Sequence, residues 1–142
     1  MKINRIVASS ALLAIGLSFG ASASAQTGLS ATPNPLNMYA PGGGYVTGFM
    51  TVTNHGPGFA SNLSVDAPIN SGPKHGGLTI IADTCTGATL AQNGTCTVRF
   101  SYEPACFVRA GTQDLWQIGV NSSQFPVMVD KVIGNTTSNA CQ

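Results

Sequence analysis

The sequence predicts an all-β fold, a sandwich of about seven short strands, and three observations predict it. Residues 95–104 alternate without a break: Cys96, Val98, Phe100 and Tyr102 fall on one side of a period-two register, and Thr95, Thr97, Arg99, Ser101 and Glu103 on the other. No stretch of helical length shows a 3.6-residue repeat. β-Branched and aromatic runs recur at short intervals and are divided by Gly, Pro and Asn, the punctuation of a multi-stranded sandwich.

The N-terminus is read first, because it is set aside. Lys2 and Arg5 form a basic start, residues 6–19 are apolar with only small interruptions, and Ala23-Ser24-Ala25 offers the small residues of a cleavage site. Residues 1–25 are therefore expected to be a signal peptide cut after Ala25, with Ala23 as the alternative. The run is short for a span of about 20 residues, so a membrane anchor is the lesser reading. Residues 26–142 form one domain with no transmembrane segment.

In that domain Lys74, Arg99, Arg109 and Lys131 nearly balance Asp66, Asp83, Glu103, Asp114 and Asp130. Such a charge pattern offers no basic surface to nucleic acid. All four cysteines, Cys85, Cys96, Cys106 and Cys141, fall in the same part, and an even count in an exported domain predicts two disulfides. Three connectivities are open; Cys85–Cys96 with Cys106–Cys141 is the expected one.

The elements follow in order. Residues 29–32 and 36–39 form a broken first strand whose Pro33, Pro35 and Pro41 confine it to a sheet edge. Gly42-Gly43-Gly44 lacks the preceding strand and following helix of a phosphate loop and is expected to be a turn. Residues 45–54 are a strand with Val46, Met50 and Val52 inward, and His55-Gly56-Pro57-Gly58 a turn. Residues 60–65 are the next strand, with Leu63 and Val65 inward. Residues 78–82 are expected to be a short buried strand leading to Cys85. Gln92-Asn93-Gly94 turns the chain into the alternating strand, which Pro104 ends. Residues 115–120 place Trp116, Ile118 and Val120 on one face, residues 121–124 turn, and residues 125–133 close the sandwich, leaving a polar tail.

Three stretches together resemble a known pattern. A strand ending Thr53-Asn54-His55-Gly56, a Cys85-to-Cys96 hairpin containing Leu90 and Gly94, and a strand ending Tyr102-Glu103-Pro104 are similar to the bacterial immunoglobulin-like domains of the ASPM-SPD-2-Hydin and choice-of-anchor group, relatives of the major-sperm-protein and pilus-chaperone sandwiches. Tyr102 stands where that group usually has Phe. The resemblance covers about residues 45–134 and implies an immunoglobulin-like β-sandwich used as a binding or spacer module. Cys106 and Cys141 lie outside it, so their pairing rests on parity.

No set of residues announces catalysis. His55 and His75 both lie in Gly/Pro-rich loops, there is no Gly-x-Ser-x-Gly elbow, and no cysteine or histidine spacing suits a metal or a redox dithiol, so no catalytic, cofactor or metal residue is assigned. Trp116 and Tyr102 lie on apolar registers and are expected in the core; the lesser reading makes them, with Tyr39 or Tyr45, a ligand platform. The Asn-x-Ser/Thr matches at Asn62, Asn93, Asn121 and Asn135 mark glycan acceptors only in a eukaryotic secretory protein. The expectation is an exported, non-enzymatic domain, secreted or periplasmic, that binds another envelope or extracellular protein or assembles with itself. Carbohydrate binding is the alternative.

Overall fold

The computed structural model describes residues 28–139; the predicted signal segment and Cys141 lie outside the described residues. Nine strands occur among them: β1 (Leu29–Thr32), β2 (Leu36–Ala40), β3 (Val46–Asn54), β4 (Ser64–Val65), β5 (Ile69–Asn70), β6 (Gly76–Asp83), β7 (Thr95–Pro104), β8 (Gln113–Asn121) and β9 (Met128–Thr136). One sheet has the order β1-β3-β7-β6 and the other β2-β9-β8-β4, with β5 also pairing β8. This is an immunoglobulin-like sandwich, with nine strands rather than about seven.

One of the two extra strands is the short β5, which pairs Ile69 and Asn70 with Gln117 and Trp116 in a stretch not expected to be a strand; the other has a local cause. The broken first strand does not stay in one sheet. β1 runs antiparallel to β3, the chain passes Pro33 and Pro35, and β2 then joins the second sheet parallel to β9. Proline cannot donate to a ladder, so it marks the place where a strand leaves one sheet for the other. The predicted strand over 60–65 is correspondingly short: Ala60 makes a single bridge to Leu90, and only Ser64–Val65 pairs with β8.

β7 holds the first sheet together, paired along its length with β3 and β6. Its inward residues Val98, Phe100 and Tyr102 are fully buried and form one core cluster with their sheet neighbours Met50 and Val52 and with Trp116, Ile118, Val120 and Val132 of the other sheet. Each such side chain contributes about 1.5–3 kcal/mol by leaving water. Tyr102 lies edge-on to Trp116, ring centroids 5.4 Å apart at 66°. Gly134 makes room for it, since a Cβ there would come within 2.5 Å of the Tyr102 ring.

β9 runs three residues later than expected, as Met128–Thr136 rather than 125–133. Its first paired residue is Met128, opposite Val120, and Pro126 two residues earlier has no N–H to give to a ladder with β8. The polar residues Asn135 and Thr136, assigned to the tail by sequence, lie beside Tyr39 and Ala40 and are buried. Cys85 and Cys96 form a disulfide with Cα atoms 5.1 Å apart, and closing so short a loop stabilises by about 3 kcal/mol on the chain-entropy model. Cys106 is also disulfide-bonded.

Asp130 is the anomaly of the core. It sits opposite Ile118 and is fully buried. Its Oδ1 accepts the Lys131 backbone N–H at 2.7 Å, while Oδ2 has no partner. Burial holds the carboxyl above its ordinary range, and that one N–H offsets the effect only in part. Because the folded pKa exceeds the unfolded one, the contribution of Asp130 is complete below about pH 4 and is lost as pH rises through the folded value. Asp130→Asn is therefore expected to be the more stable protein at neutral pH, by about 1–2 kcal/mol. Denaturant midpoints of both proteins at pH 4 and pH 7 check this. A variant advantage that fails to grow with pH would overturn it.

Candidate functional site: an open sheet edge and the cleft at its head

Most edges of the two sheets are blunted. β1 has four residues and ends at Pro33, β2 has five between Pro35 and Pro41, and β4 and β5 have two each. β6 is different. It has eight residues, ends the first sheet, and contains no charge between Lys74 and Asp83 and no proline. The sequence predicted a buried strand here. Instead Leu78 and Ile80 point inward but are only half-buried, while Thr79 and Ile81 are exposed. A strand that ends a sheet has one covered face and one open flank, so an apolar run need not be interior. The protection it carries is a bulge at Ile81, between the pairs Ile80–Phe100 and Ala82–Arg99.

The direction of the free backbone groups follows from the ladder. The Ala105 N–H donates to the His75 carbonyl. In an antiparallel pair the groups facing the partner alternate along each strand. Gly77 and Thr79 therefore bond toward β7, and the N–H and C=O of Gly76, Leu78 and Ile80 point to the open flank.

The head of β6 is fixed by a buried carboxylate. The His75 backbone N–H donates to Asp114 Oδ1 at 2.7 Å, and the Tyr102 hydroxyl donates to Asp114 Oδ2 at 3.0 Å. Asp114 is fully buried. The His75 ring nitrogen Nδ1 lies 3.3 Å from the same Oδ1, close enough for charge attraction but without hydrogen-bond alignment. Burial chiefly, and then the nearby Asp114 charge, push the Tyr102 phenol up to about 12, against the lowering contact with Thr136. It stays a neutral donor at any physiological pH. Gly76 allows β6 to lie flush on β7, since a Cβ would meet the Glu103 carbonyl at 2.7 Å and Pro104 Cα at 2.8 Å. An open cleft of about 450 Å³ lies over this corner, lined by Lys74, His75 and Gly77 on one side and Glu103, Cys106 and Gly43 on the other.

The sequence-derived candidates are dispersed. Trp116 and Tyr102 are 2% and 0% exposed. Their rings pack on each other inside the sandwich, and neither offers a face to a ligand; the platform assigned to them is corrected. The exposed rings among the described residues are Tyr39 on β2, Tyr45 just before β3, Phe49 on β3 opposite Arg99, and Phe59 and Phe107 in loops. The parts of a triad are divided: His55 Nε2 lies 2.8 Å from Ser30 Oγ, while the histidine with a carboxylate neighbour is His75. These sit at opposite ends of β7, beside Thr95 and Pro104 respectively. Gly42-Gly43-Gly44 is a hydrogen-bonded turn, tied to Ser138, Pro104 and Pro41. Among the described residues no three His, Cys, Asp or Glu side chains cluster as metal ligands, and no helix is long and apolar enough to cross a membrane. The open edge was missed by sequence reading; its signal was the missing charge and proline in a run read as core.

No protein-family profile and no curated protein matches the chain. Solved structures do. The secreted serine protease VesC from Vibrio cholerae aligns with TM-score 0.55 and 23% identity over 78% of this chain, and VesB protease of the same organism with TM-score 0.51 and 19% identity over 76%. This chain spans only 23% and 32% of those two proteins. The ASH/PapD-like domain 7 of human CEP192 aligns with TM-score 0.50 and 13% identity over 99% of both chains. At these identities the likeness shows the fold alone, an immunoglobulin-like sandwich.

Proposed function

We propose that the chain is an exported, non-enzymatic module that binds protein by accepting an extended segment at the open flank of β6. The observation that supports this most directly is the contrast among edges. Three flanks are cut short by proline or by length, while β6 presents a neutral apolar strand with backbone groups at Gly76, Leu78 and Ile80 directed outward. An added strand would gain main-chain hydrogen bonds and cover the half-buried Leu78 and Ile80. The disulfides fit an oxidising compartment, which supports a secreted or periplasmic location. The PapD-like sandwich of CEP192 and the small share of the Vibrio proteases spanned here are in keeping with a module rather than a whole enzyme. The carbohydrate alternative loses Trp116 and Tyr102 as its platform and keeps the exposed Tyr39 and Tyr45 on separate elements.

The test is site-specific photo-crosslinking in cells that make the protein. A photoreactive side chain at Ile81, on the β6 flank, is expected to give discrete adducts. One at Val129, exposed on the second sheet, is the control. Adducts at Ile81 that vanish in Leu78→Pro, which removes an outward N–H without touching the β7 ladder, support strand addition. Equal adducts at both positions, or adducts indifferent to the proline, would overturn it.

A further inference from the structure

We infer that the segment accepted by β6 is β6 of a second copy, so that two first sheets join into one continuous sheet across a two-fold axis at Thr79. This rests on the strand-addition reading above and adds the partner.

Charge sets the orientation of the pair. β6 carries Lys74 and His75 at its head and Asp83 at its foot, with nothing charged between. Asp83 is held in place, its Oδ1 accepting the Cys85 and Thr86 N–H groups at 2.7 and 3.1 Å. Parallel self-pairing would set cationic head against cationic head and carboxylate against carboxylate. Antiparallel pairing sets each head beside the other copy's foot, twice, by symmetry.

The register follows from which residues face which way. The outward-directed groups of Leu78 and Ile80 meet if Leu78 of one copy pairs with Ile80 of the other, which closes four main-chain hydrogen bonds and puts Thr79 on the axis. Inward-facing Leu78 then adjoins inward-facing Ile80, and each covers the other's half-exposed side. In the same register Ile81 falls opposite Gly77. A Cβ at Gly77 would meet nothing within 4 Å, so the bulged Ile81, 48% exposed, has open space to occupy. The bulge thus ends the regular pairing at Ile81, and the two-fold arrangement, which uses the β6 flank of each copy once, closes at two copies.

Thr79 of each copy forms the non-hydrogen-bonded pair at the axis, where Cβ atoms lie about 4.5–5.5 Å apart, close to the range a disulfide needs. Purified oxidised protein is expected to be a dimer by light scattering. In Thr79→Cys the introduced thiols of the two copies are expected to join in an interchain disulfide, found by non-reducing gel and peptide mapping, at least about tenfold faster than in Val129→Cys. Thr79→Lys, which opposes two ammonium groups on the solvent face, is expected to give a folded monomer, while Thr47→Lys on the same sheet face remains dimeric. Far-ultraviolet circular dichroism checks that each variant is folded. A monomer at millimolar concentration, or cross-linking no faster at residue 79 than at residue 129, would overturn the self-pairing. If Ile81 then still gives Leu78→Pro-sensitive adducts with a different protein, strand addition stands with another partner; if it does not, both readings fall.

Discussion

Asn54→Ala is expected to destabilise the domain by about 3–5 kcal/mol, the largest effect of any polar substitution here. Asn54 is fully buried at the end of β3. Its Nδ2 donates to the carbonyls of Gly58, Leu90 and Ala91 at 2.9, 3.0 and 3.2 Å, and its Oδ1 accepts the Gly56 N–H at 2.9 Å. One side chain thus ties four backbone groups in two loops that the single Ala60–Leu90 bridge also joins. Alanine leaves the Gly58 carbonyl and the Gly56 N–H without a partner, at about 1–3 kcal/mol for each that water cannot reach, while the Leu90 and Ala91 carbonyls lose one donor and keep the Ala60 and Gly94 N–H groups. Partial rehydration of the part-buried carbonyls keeps the sum below the simple total. Urea unfolding of the oxidised protein measures it. A loss under about 1 kcal/mol would mean that the 55–60 turn rearranges freely. Asn54→Asp separates the roles, because it keeps the acceptor for Gly56 and removes the donors; its loss should approach that of alanine.

Asp114→Ala is expected to cost about 3 kcal/mol and to loosen the head of β6. Removal of the carboxylate orphans the buried Tyr102 hydroxyl, apart from a long 3.5 Å contact with Thr136, together with the His75 N–H. Hydrogen bonds to charged groups are the stronger class, about 1.5–3 kcal/mol each. Tyr102→Phe on the same background restores the balance in part, since a buried donor and acceptor removed together leave less unsatisfied. Amide hydrogen exchange should show the gain in opening at residues 75–78 rather than at β9. Uniform acceleration across both sheets would instead assign Asp114 to global stability alone. The result bears on function: if β6 is the accepting edge, its register is set by this anchor, and a loosened head should weaken pairing at Thr79 before the domain unfolds.

The class of fold and the interior of its central strand were legible in the residues alone. Cys96, Val98, Phe100 and Tyr102 stood out because a strand covered on one face must alternate, and no other structure produces that period. The Cys85–Cys96 loop was legible because the spacing brackets one turn, and Trp116, Ile118 and Val120 because β8 also has a single covered face. Three things depended on long-range packing. Whether Trp116 and Tyr102 faced a ligand or each other could not be read from period alone, since an apolar register looks the same from outside and inside. The division of the first strand between two sheets depended on which neighbours Leu36–Ala40 found, and those lie near residue 134 in sequence. The openness of β6 depended on there being no further strand beside it among the described residues, which is a property of the assembled sheet and not of residues 76–83. Local period records which side of a strand is apolar. Which strands flank it, and so which edge is left to meet another chain, is decided only when distant segments pair.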